Sequence, residues 1–544
     1  MAQHLFSQVP HADIPRSAFP ARFSNKTAID AGILYPLISI IAYPGDTFSL
    51  DTLIFARLNP QVVATLDNLR ATVFWFGCPI RLLWSHFVNM MGEQDNPTDS
   101  TDYLVPVMTT PSGGYGFGTI YDFLSVVNPG VANHPAVSAL KARMYNLTYN
   151  QWFRDENLQN SVSFTNGDGP DTYSNYTLKH RGKRHDYFTS ALPWPQKGPA
   201  VDIPLGTTAP VIGNGDYVNW VGATSGSTHA MRTWVGTGSN PLGAMYVPVT
   251  GSDPYVDGEM LKLTTTASGS GMIADLTSAT AATINTLRQA FQIQRLYERD
   301  ARGGTRYTEI LQAHFGVTSP DSRLQRVEYL GGGSVPIQIF INAQTSSTDS
   351  TSPQGNLTSN GIFSVNGLGF TKSFVEHTVV MCILCVDADL NYQQGIPKED
   401  LRRSKFDFYW PVLSHLGEQA ILNKEIYAQS DSVVDAQGNK VNDKVFGYQE
   451  AWADLRYGRA NITGRMRSTS VDSGGNSNTL DAYHYAEKFE SLPVLGDTFI
   501  QSNPPLSRSL AITTEPAFLV DIVAKGKMVR PLPTYSVPGL IDHF

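Results

Sequence analysis

The sequence predicts a mainly β protein, an antiparallel sandwich with long insertions between its strands. Runs of β-branched and apolar residues recur along the chain, but they lie far apart in sequence. The blocks between them are helical or irregular and do not alternate regularly with the strands, which argues against a doubly wound parallel sheet. A chain of 544 residues is also longer than one ordinary core requires, so insertions or further domains are expected.

Five segments carry the strand pattern. The first contains a Pro-Gly-Asp turn, the second stops at Gly77 and Pro79, and the third alternates isoleucines on one face. The fourth is the most apolar, and the fifth is the predicted last strand. In chain order they cover residues 35–58, 69–79, 335–345, 373–390 and 517–533. The polar segment 345–361 is predicted to be a loop.

Four segments carry a helical pattern, at residues 79–92, 134–147, 281–304 and 305–316. The first has a proline near its start and a glycine at its end, the expected asymmetry of a helix. The third is the strongest, and the fourth follows it at once. Gly303 and Gly304 between these two helices are predicted to be a hinge. A phosphate-binding turn is the less favoured alternative.

Charge and composition exclude some classes of protein. Forty Lys and Arg against 48 Asp and Glu give a net charge of -8, so the whole chain is no basic nucleic-acid binder. Charged residues are 16% of the chain, below the usual quarter, which favours a protein that hides surface against partners. The sequence lacks a signal-peptide pattern and any membrane-length apolar run, so no membrane insertion is expected. Three cysteines predict a reducing compartment.

No catalytic, metal or cofactor site is predicted. Zinc-protease, nucleophile-elbow and phosphate-loop motifs do not occur in the sequence. Cys382 and Cys385 form C-x-x-C in an apolar strand, where residues three apart point to opposite faces, so both are predicted to be core cysteines. The adjacent His185 and Asp186 diverge on an extended chain and are not expected to form an acid–base pair.

Three clusters, at residues 151–158, 179–188 and 401–410, mix cations with aromatic rings. Such clusters suit single-stranded nucleic acid or a subunit interface, and the interface is favoured. In residues 183–198, Pro193 and Pro195 fix the backbone around Trp194, which predicts a structural joint. The side chains predicted to make subunit-interface or structural contacts are Trp152, Arg154, Arg184, Trp194, Arg302 and Arg306.

The segment 206–271 differs from the rest of the chain. It is rich in Gly, Ser and Thr, nearly free of Lys and Arg, and punctuated by Trp220, Trp234 and Tyr246. It is predicted to be a surface insertion with short strands of its own. A disordered linker is the alternative, although linkers seldom hold two tryptophans.

Nine motifs form an ordered series along the chain, at residues 14–20, 44–51, 91–94, 149–158, 183–198, 298–332, 353–361, 446–458 and 535–544. The series resembles the major capsid proteins of gokushoviruses, small circular single-stranded DNA phages of the Microviridae. The resemblance covers essentially the whole chain and fades at residues 206–271. It implies a single eight-stranded antiparallel jelly roll of the viral capsid type over residues 1–544, with large helical and loop insertions.

The resemblance also implies a structural function. About sixty copies would close a T = 1 icosahedral shell around a circular single-stranded DNA genome, in a virion assembled in the cytoplasm of a bacterial host. The implied partners are other copies of the chain, the DNA, and other viral structural proteins that include a small basic DNA-binding protein. Segment 206–271 would project near the threefold axes, where Trp220, Trp234 and Tyr246 are candidates for contact with a host surface receptor.

Residues 14–30 are predicted to be an N-terminal arm. Its Arg16, Arg22 and Lys26 are candidates for DNA contact on the inner surface of the shell, since capsid arms often lie inside. The alternative is that these cations pack against neighbouring subunits. A function of a different class also stays open: a jelly-roll carbohydrate-binding protein or glycoside-active enzyme, in which Trp220 and Trp234 stack on sugars.

Overall fold

The structure is a computed structural model that describes residues 15–201, 284–350, 353–389 and 391–535. It also gives the backbone of seven short strands between residues 211 and 274. The chain divides into two compact units, of which one is Gln196–Arg299 and the other combines Met1–Pro195 with Asp300–Phe544. The predicted insertion, residues 206–271, lies within the smaller unit.

Eight strands form the frame of the larger unit. They are β1 (Ser17–Ile29), β2 (Tyr35–Ala42), β3 (Thr47–Leu58), β4 (Leu69–Pro79), β5 (Glu328–Pro336), β6 (Leu357–Asn366), β7 (Thr378–Ala388) and β8 (Phe518–Arg530). Each pairs with its neighbours in antiparallel register. Proline and glycine turns separate β2 from β3, as the sequence predicts.

The eight strands form two sheets. The first has the order β1-β8-β3-β6, with Gln338–Ala343 beyond β6 and Phe370–Ser373 also paired to β3. The second has the order β5-β4-β7-β2. The chain passes from one sheet to the other between β1, β2, β3 and β4, and the last strand inserts between β1 and β3. This interleaving of two Greek keys is a jelly roll, so the predicted fold class is confirmed.

Three of the eight strands differ from what the sequence pattern predicts. Residues 17–29 of the predicted arm form β1, which pairs over its whole length with β8, Ser17 opposite Arg530 and Ile29 opposite Phe518. The prediction of a loop over residues 345–361 is wrong for its last five residues, because β6 starts at Leu357. The sequence pattern does not predict β5, because three consecutive glycines interrupt the apolar alternation of this strand. A Cβ on Gly332, whose φ is +144°, would lie 2.1 Å from the Val73 carbonyl oxygen of β4.

The inner faces of the two sheets enclose the main hydrophobic core. Trp75 of β4 is fully buried there and donates its indole N–H to Thr52 Oγ1 at 2.9 Å. Strand β7 is buried on both faces. Its Cys382 and Leu384 face this core, whereas Met381 and Ile383 face a second core. Burial on both faces explains why β7 reads as a continuous apolar run.

The second core packs under helix α1 (Leu140–Thr148), which continues as a π-helical turn at Tyr149–Phe153. The predicted helix 79–92 is broken into Ile80–Leu83 and Phe87–Met90, because Trp84 between them has extended backbone angles. The predicted helix 134–147 begins only at Leu140, since Ser138 forms a β-bridge with Val107.

The strongest predicted helix and the one that follows it are confirmed as α2 (Ile284–Arg302) and α3 (Tyr307–Phe315). Three further short helices are Ile120–Phe123, Asn423–Ile426 and Asp497–Ile500, and a hairpin pairs Glu418–Leu422 with Val445–Glu450. In the described part of the chain, no helix combines the length and the apolar character needed to cross a membrane.

Candidate functional site

A cleft of about 1090 Å³ opens beside β4 in the larger unit. Phe74 and Phe76 of β4, the turn after α1 and the glycine hinge before α3 all contribute to its walls. Five of the six side chains predicted to make interface or structural contacts line it: Trp152, Arg154, Arg184, Arg302 and Arg306. The fold therefore brings together residues that lie up to about 150 positions apart in the sequence. The sixth, Trp194, is half-buried and does not line the cleft.

Trp152 anchors one wall of the cleft. The π-helical turn points its indole N–H at the Val327 carbonyl oxygen, 2.9 Å away. The guanidinium of Arg326 lies 4.4 Å from the ring centre, a cation–π contact, and the rings of Phe76 and Tyr329 pack beside it. Trp152 thus joins the turn after α1 to the start of β5 within one subunit.

Arg302, the last residue of α2, belongs to the larger unit and pairs there with the strand Glu418–Leu422. Its guanidinium makes a two-pronged ion pair with the carboxylate of Glu418, with Nε 3.1 Å from Oε1, and donates to the Ser190 carbonyl oxygen at 3.2 Å. The Glu418 side chain is only 5% exposed, so this carboxylate is largely removed from water. It is a fixed joint, and the arginine is not free to reach a ligand.

Arg306 forms a third fixed point. Its guanidinium contacts Glu156 at 3.2 Å and Glu309 at 2.9 Å, and donates to the Arg154 carbonyl oxygen at 2.5 Å. Glu309 also accepts the backbone N–H of Arg306 at 3.1 Å, which caps the N-terminus of α3.

The glycine hinge fits this capping arrangement. Gly304 has a φ of +98°, and a Cβ there would lie 2.4 Å from Glu309 Oε2. The Glu309 carboxylate therefore occupies the position that a bound anion would take at this helix terminus. The geometry supports the predicted hinge and gives no support to the phosphate-binding alternative.

Most other cations of the cleft are also paired. Arg181 binds Asp387 at 2.9 Å and Lys183 binds Glu487 at 2.6 Å. Burial raises the pKa of both carboxyl groups, although the neighbouring cations oppose that shift. The pair of Arg184 is the weakest, because its half-exposed guanidinium lies 3.9 Å from the half-exposed Asp389 carboxylate. The cleft is therefore lined by ion pairs within the subunit. Among the paired arginines of the cleft described above, Arg184 has the most exposed side chain.

The segment 183–198 is fastened to two other parts of the larger unit. Lys183 donates its backbone N–H to the Ile500 carbonyl oxygen at 2.7 Å, and Leu192 exchanges two 2.7 Å backbone hydrogen bonds with Tyr448. Between these points, Phe188 and Ala191 are buried in a third hydrophobic cluster. These contacts hold residues 183–192 firmly within the larger unit.

The Asp186 carboxylate stabilises a turn within this segment. Its Oδ1 accepts the backbone N–H groups of Phe188 at 2.8 Å and Thr189 at 2.7 Å. The carboxylate is thereby committed to local backbone geometry.

The predicted DNA-contact residues lie together on a different surface. Arg16 precedes β1, and Arg22 and Lys26 lie on the exposed face of that strand, because residues at even positions of β1 point outward. Lys26 forms an ion pair with Asp521, and Arg16 donates to Thr47 Oγ1 at 2.7 Å. Arg22 lies opposite Lys525 of β8 in the register.

The sequence reasoning missed three further cations on this face, Arg57, Lys525 and Lys527. Lys525 is also opposite Asp51, and Phe55 exposes its ring on the same side of β3. Across β1, β8 and β3 this basic face holds six cations and two carboxylates. The lysine-glycine-lysine run at 525–527 was the available signal, but only the pairing of the first and last strands places it beside Arg22.

The smaller unit carries the residues predicted to contact a host. Trp220 lies on Asn219–Gly222, opposite Leu263 and His229 in the backbone register. Tyr246 lies on Met245–Tyr246, opposite Arg232. Trp234 lies outside the described residues. The short strands expected within 206–271 are present as backbone pairs.

The three cysteines are buried in the two cores, with Cys382 and Cys385 on opposite faces of β7. Burial raises the pKa of Cys385 to about 12 and also raises the pKa of Cys78 and Cys382. The thiolate is the reactive form, so these thiols are unreactive at neutral pH. Among the described residues, no cluster of three His, Cys, Asp or Glu side chains could hold a metal ion.

We expect a thiol reagent to find no reactive cysteine in the native chain and three after unfolding in urea. The measurement is the absorbance of the thiolate released from Ellman's reagent at pH 8. A native thiol that reacts within minutes would contradict the burial of all three.

Known proteins match this chain along nearly its whole length. Residues 7–540 match the family model described as capsid protein (F protein). Capsid protein VP1 of Bdellovibrio phage phiMH2K is 43% identical over 555 residues, covering 100% of this chain and 98% of that protein. Capsid protein VP1 of Chlamydia phage 1 is 38% identical over 587 residues, covering 98% and 97%. Capsid protein VP1 of Spiroplasma virus 4 is 33% identical over 562 residues, covering 99% and 97%.

Proposed function

Because the chain belongs to the capsid protein (F protein) family, we propose that about sixty copies close a T = 1 icosahedral shell around a circular single-stranded DNA genome. The chain is a structural protein that assembles into a phage capsid and resides in the virion. One observation carries the proposal: a single family matches residues 7–540, with both the jelly roll and its insertions included. Assembly in the cytoplasm of a bacterial host is part of the proposal.

The basic face supports a DNA contact on the inside of the shell. It concentrates six cations against two carboxylates in a chain whose net charge is -8. Cations neutralise phosphates, and the exposed ring of Phe55 is suited to stacking on a base. Arg16, Arg22 and Lys26 are the proposed contacts at the N-terminal edge of this face.

A separate small basic DNA-binding protein completes the proposal. With a net charge of -8 per copy, the shell cannot neutralise the phosphates of a genome by itself. The capsid protein then guides the strand at its inner surface, and the basic protein supplies most of the counter-charge.

The remaining predicted residues divide between internal and external roles. The contacts of Trp152, Arg154, Arg302 and Arg306 support a structural role within the subunit. Arg184, as the most exposed of the paired arginines of the cleft, and Trp194 are proposed for contacts between subunits. Trp220, Trp234 and Tyr246 are proposed to contact a host surface receptor.

No observation favours the carbohydrate-binding or glycoside-active alternative. The matching family and the relatives described above are capsid proteins, a structural class. We propose that the chain acts by assembly without turnover.

Electron microscopy of particles from cells that carry the complete phage genome tests the shell. We expect uniform small icosahedral particles that contain single-stranded DNA. In a variant with Arg16→Ala, Arg22→Ala and Lys26→Ala, we expect shells of the same size whose DNA is released at about twofold lower salt, because fewer phosphates are neutralised.

The matched control removes three exposed cations elsewhere, with Lys440→Ala, Lys444→Ala and Lys488→Ala. It should retain DNA like the unaltered chain. Equal DNA retention in all three samples would refute the DNA contact and leave the shell intact. Absence of shells from the unaltered genome would refute the assembly proposal itself.

A further inference from the structure

We propose that an exposed aromatic ledge of one subunit, residues 403–412, docks on the acidic loop, residues 92–104, of a neighbouring copy. This inference rests on the proposed shell-forming function and names two surfaces that meet in it. The ledge is basic and apolar, and the loop is acidic and apolar. No other described part of the chain covers either surface.

All ten residues of the ledge are exposed, although half of them have large apolar side chains. Those side chains are Phe406, Phe408, Tyr409, Trp410 and Val412, with exposed fractions from 45% to 93%. Single exposed apolar residues are normal, but a contiguous row of them marks an interaction surface. Tryptophan and tyrosine are also the side chains that interfaces favour.

The ledge is held in one conformation by its own hydrogen bonds. The Asp407 carboxylate accepts the backbone N–H groups of Ser404 at 2.6 Å and Arg403 at 2.9 Å, and these bonds lower its pKa. Trp410 donates its indole N–H to the Lys405 carbonyl oxygen at 3.0 Å. A preformed surface loses little conformational entropy on binding.

The ledge is also attached firmly to the subunit. The ring of Tyr409 packs edge-on against Trp452 with 5.5 Å between ring centres. Trp452 in turn donates its indole N–H to the Leu413 carbonyl oxygen at 2.8 Å. The exposed rings are therefore displayed from a fixed base and are not part of a loose loop.

Two cations of the ledge are available to a partner. Arg402, just before it, is paired with Asp454 and is largely buried. Arg403 and Lys405 are exposed, and neither belongs to an ion pair among the residues that the structure describes. Lys405 lies 5.3 Å from the ring centre of Trp410, so the positive charge and the aromatic surface adjoin.

The acidic loop has the complementary character. Residues 82–140 contain five carboxylates and neither lysine nor arginine. Glu93, Asp95 and Asp102 are exposed, and no described cation pairs with them. Leu104 follows with 83% of its surface exposed. Opposite charges beside apolar groups on both surfaces favour contact between two copies.

Symmetry makes this contact suitable for a shell. A contact between two different patches is heterologous, and repeating it around an axis closes a ring when its rotation is a whole fraction of a turn. The area is also appropriate. Four half-exposed aromatic side chains and a valine would bury roughly 500 Å², more than half of the about 800 Å² per partner of a standard interface.

Charge reversal tests the pairing in particles produced from the complete phage genome. We expect Arg403→Glu with Lys405→Glu to reduce particle yield at least tenfold, because like charges then face each other. Glu93→Lys with Asp95→Lys should do the same. The four changes combined should restore yield to within about threefold of the unaltered chain, since opposite charges again meet.

Soluble, unassembled chain is measured in each lysate, so that a loss of folding is distinguished from a loss of assembly. If either pair of changes assembles normally, or if the combined variant fails although it is soluble, the docking proposal is wrong. Shells from the unaltered genome would leave the proposed function standing in both cases.

A Val412→Cys variant gives a second test, whose result depends only on whether this position is covered in the assembled particle. The three native thiols are buried, so labelling of a Val412→Cys variant reports this position alone. We expect maleimide to label the thiol of the Val412→Cys variant in unassembled subunits. It should react with that thiol at least tenfold more slowly in assembled particles.

Particles without DNA should show the same protection. Equal labelling in subunits and particles would show that the ledge stays exposed in the shell. Protection that appears only in DNA-filled particles would identify single-stranded DNA as the occupant. Either result would overturn the proposal.

Discussion

Replacing Asp171 by Asn is expected to lower the free energy of unfolding by about 3–5 kcal/mol, because it leaves the Arg143 guanidinium buried without its counter-charge. Arg143 on α1 is fully buried, and its Nε and Nη2 lie 2.7 and 2.6 Å from the two Asp171 oxygens. Arg143 also donates to the Leu83 carbonyl oxygen at 3.0 Å, so the pair joins three segments of the second core.

Urea unfolding of the soluble subunit measures this change. The matched control is Glu490→Gln, which removes one charge from a pair whose acid is 82% exposed. It should change the free energy of unfolding by less than about 0.5 kcal/mol.

The double change Arg143→Met with Asp171→Leu should cost less than Asp171→Asn alone, since no buried charge remains. A loss below about 1 kcal/mol for Asp171→Asn would contradict the role assigned to this pair.

Replacing Arg302 by Ala is expected to lower the free energy of unfolding by about 2–3 kcal/mol. The change removes the guanidinium from the nearly buried Glu418 carboxylate and from the Ser190 carbonyl oxygen. The expected loss is smaller than at Asp171, because a quarter of the Arg302 side chain is exposed and water partly compensates.

Arg184→Ala is the matched control from the same cleft. Its pair with Asp389 is long and half-exposed, so the expected loss is below about 0.5 kcal/mol. Adding Glu418→Gln to Arg302→Ala should recover part of the stability by neutralising the remaining carboxylate. If Arg302→Ala and Arg184→Ala are equally mild in urea unfolding, the end of α2 is not the fixed joint described above.

These stability variants differ from the ledge variants in what they should do to a lysate. Loss of Asp171 or Arg302 should reduce soluble subunit and particles together, because the subunit itself is weakened. Reversal of the ledge charges should reduce particles alone. The two classes of defect therefore separate folding from assembly in one experiment.

Local sequence patterns were sufficient to predict the strands with strong apolar periodicity. Strands β2, β3, β4, β7 and β8 all fall within predicted segments. Burial on one or both faces of a strand imposes a hydrophobic pattern that is visible without any partner. The same holds for α2 and α3, whose boundary is marked by the two glycines.

The strands that the pattern missed have little apolar signal of their own. Strand β1 has many exposed residues at the edge of its sheet, β6 has polar residues at three of its first four positions, and β5 contains three glycines. Each is recognisable as a strand only through its partner: β8 for β1, β3 for β6 and β4 for β5.

For the candidate site, too, some features could be predicted from the sequence and others could not. The sequence identified the basic and aromatic clusters, but it could not tell that Arg302 pairs with Glu418 and Arg306 with Glu156, carboxylates more than a hundred positions away. Nor could it show that residues 403–410 of the cluster 401–410 are all exposed.

By itself the sequence determined the apolar strands, the helices α2 and α3, the buried cysteines and, through its ordered motifs, the capsid family. Only the tertiary structure decided which cations meet, as with Lys26 and Asp521, 495 positions apart. The physical reason is that hydrophobic periodicity is local information, whereas charge pairing and exposure depend on the register between strands distant in the chain.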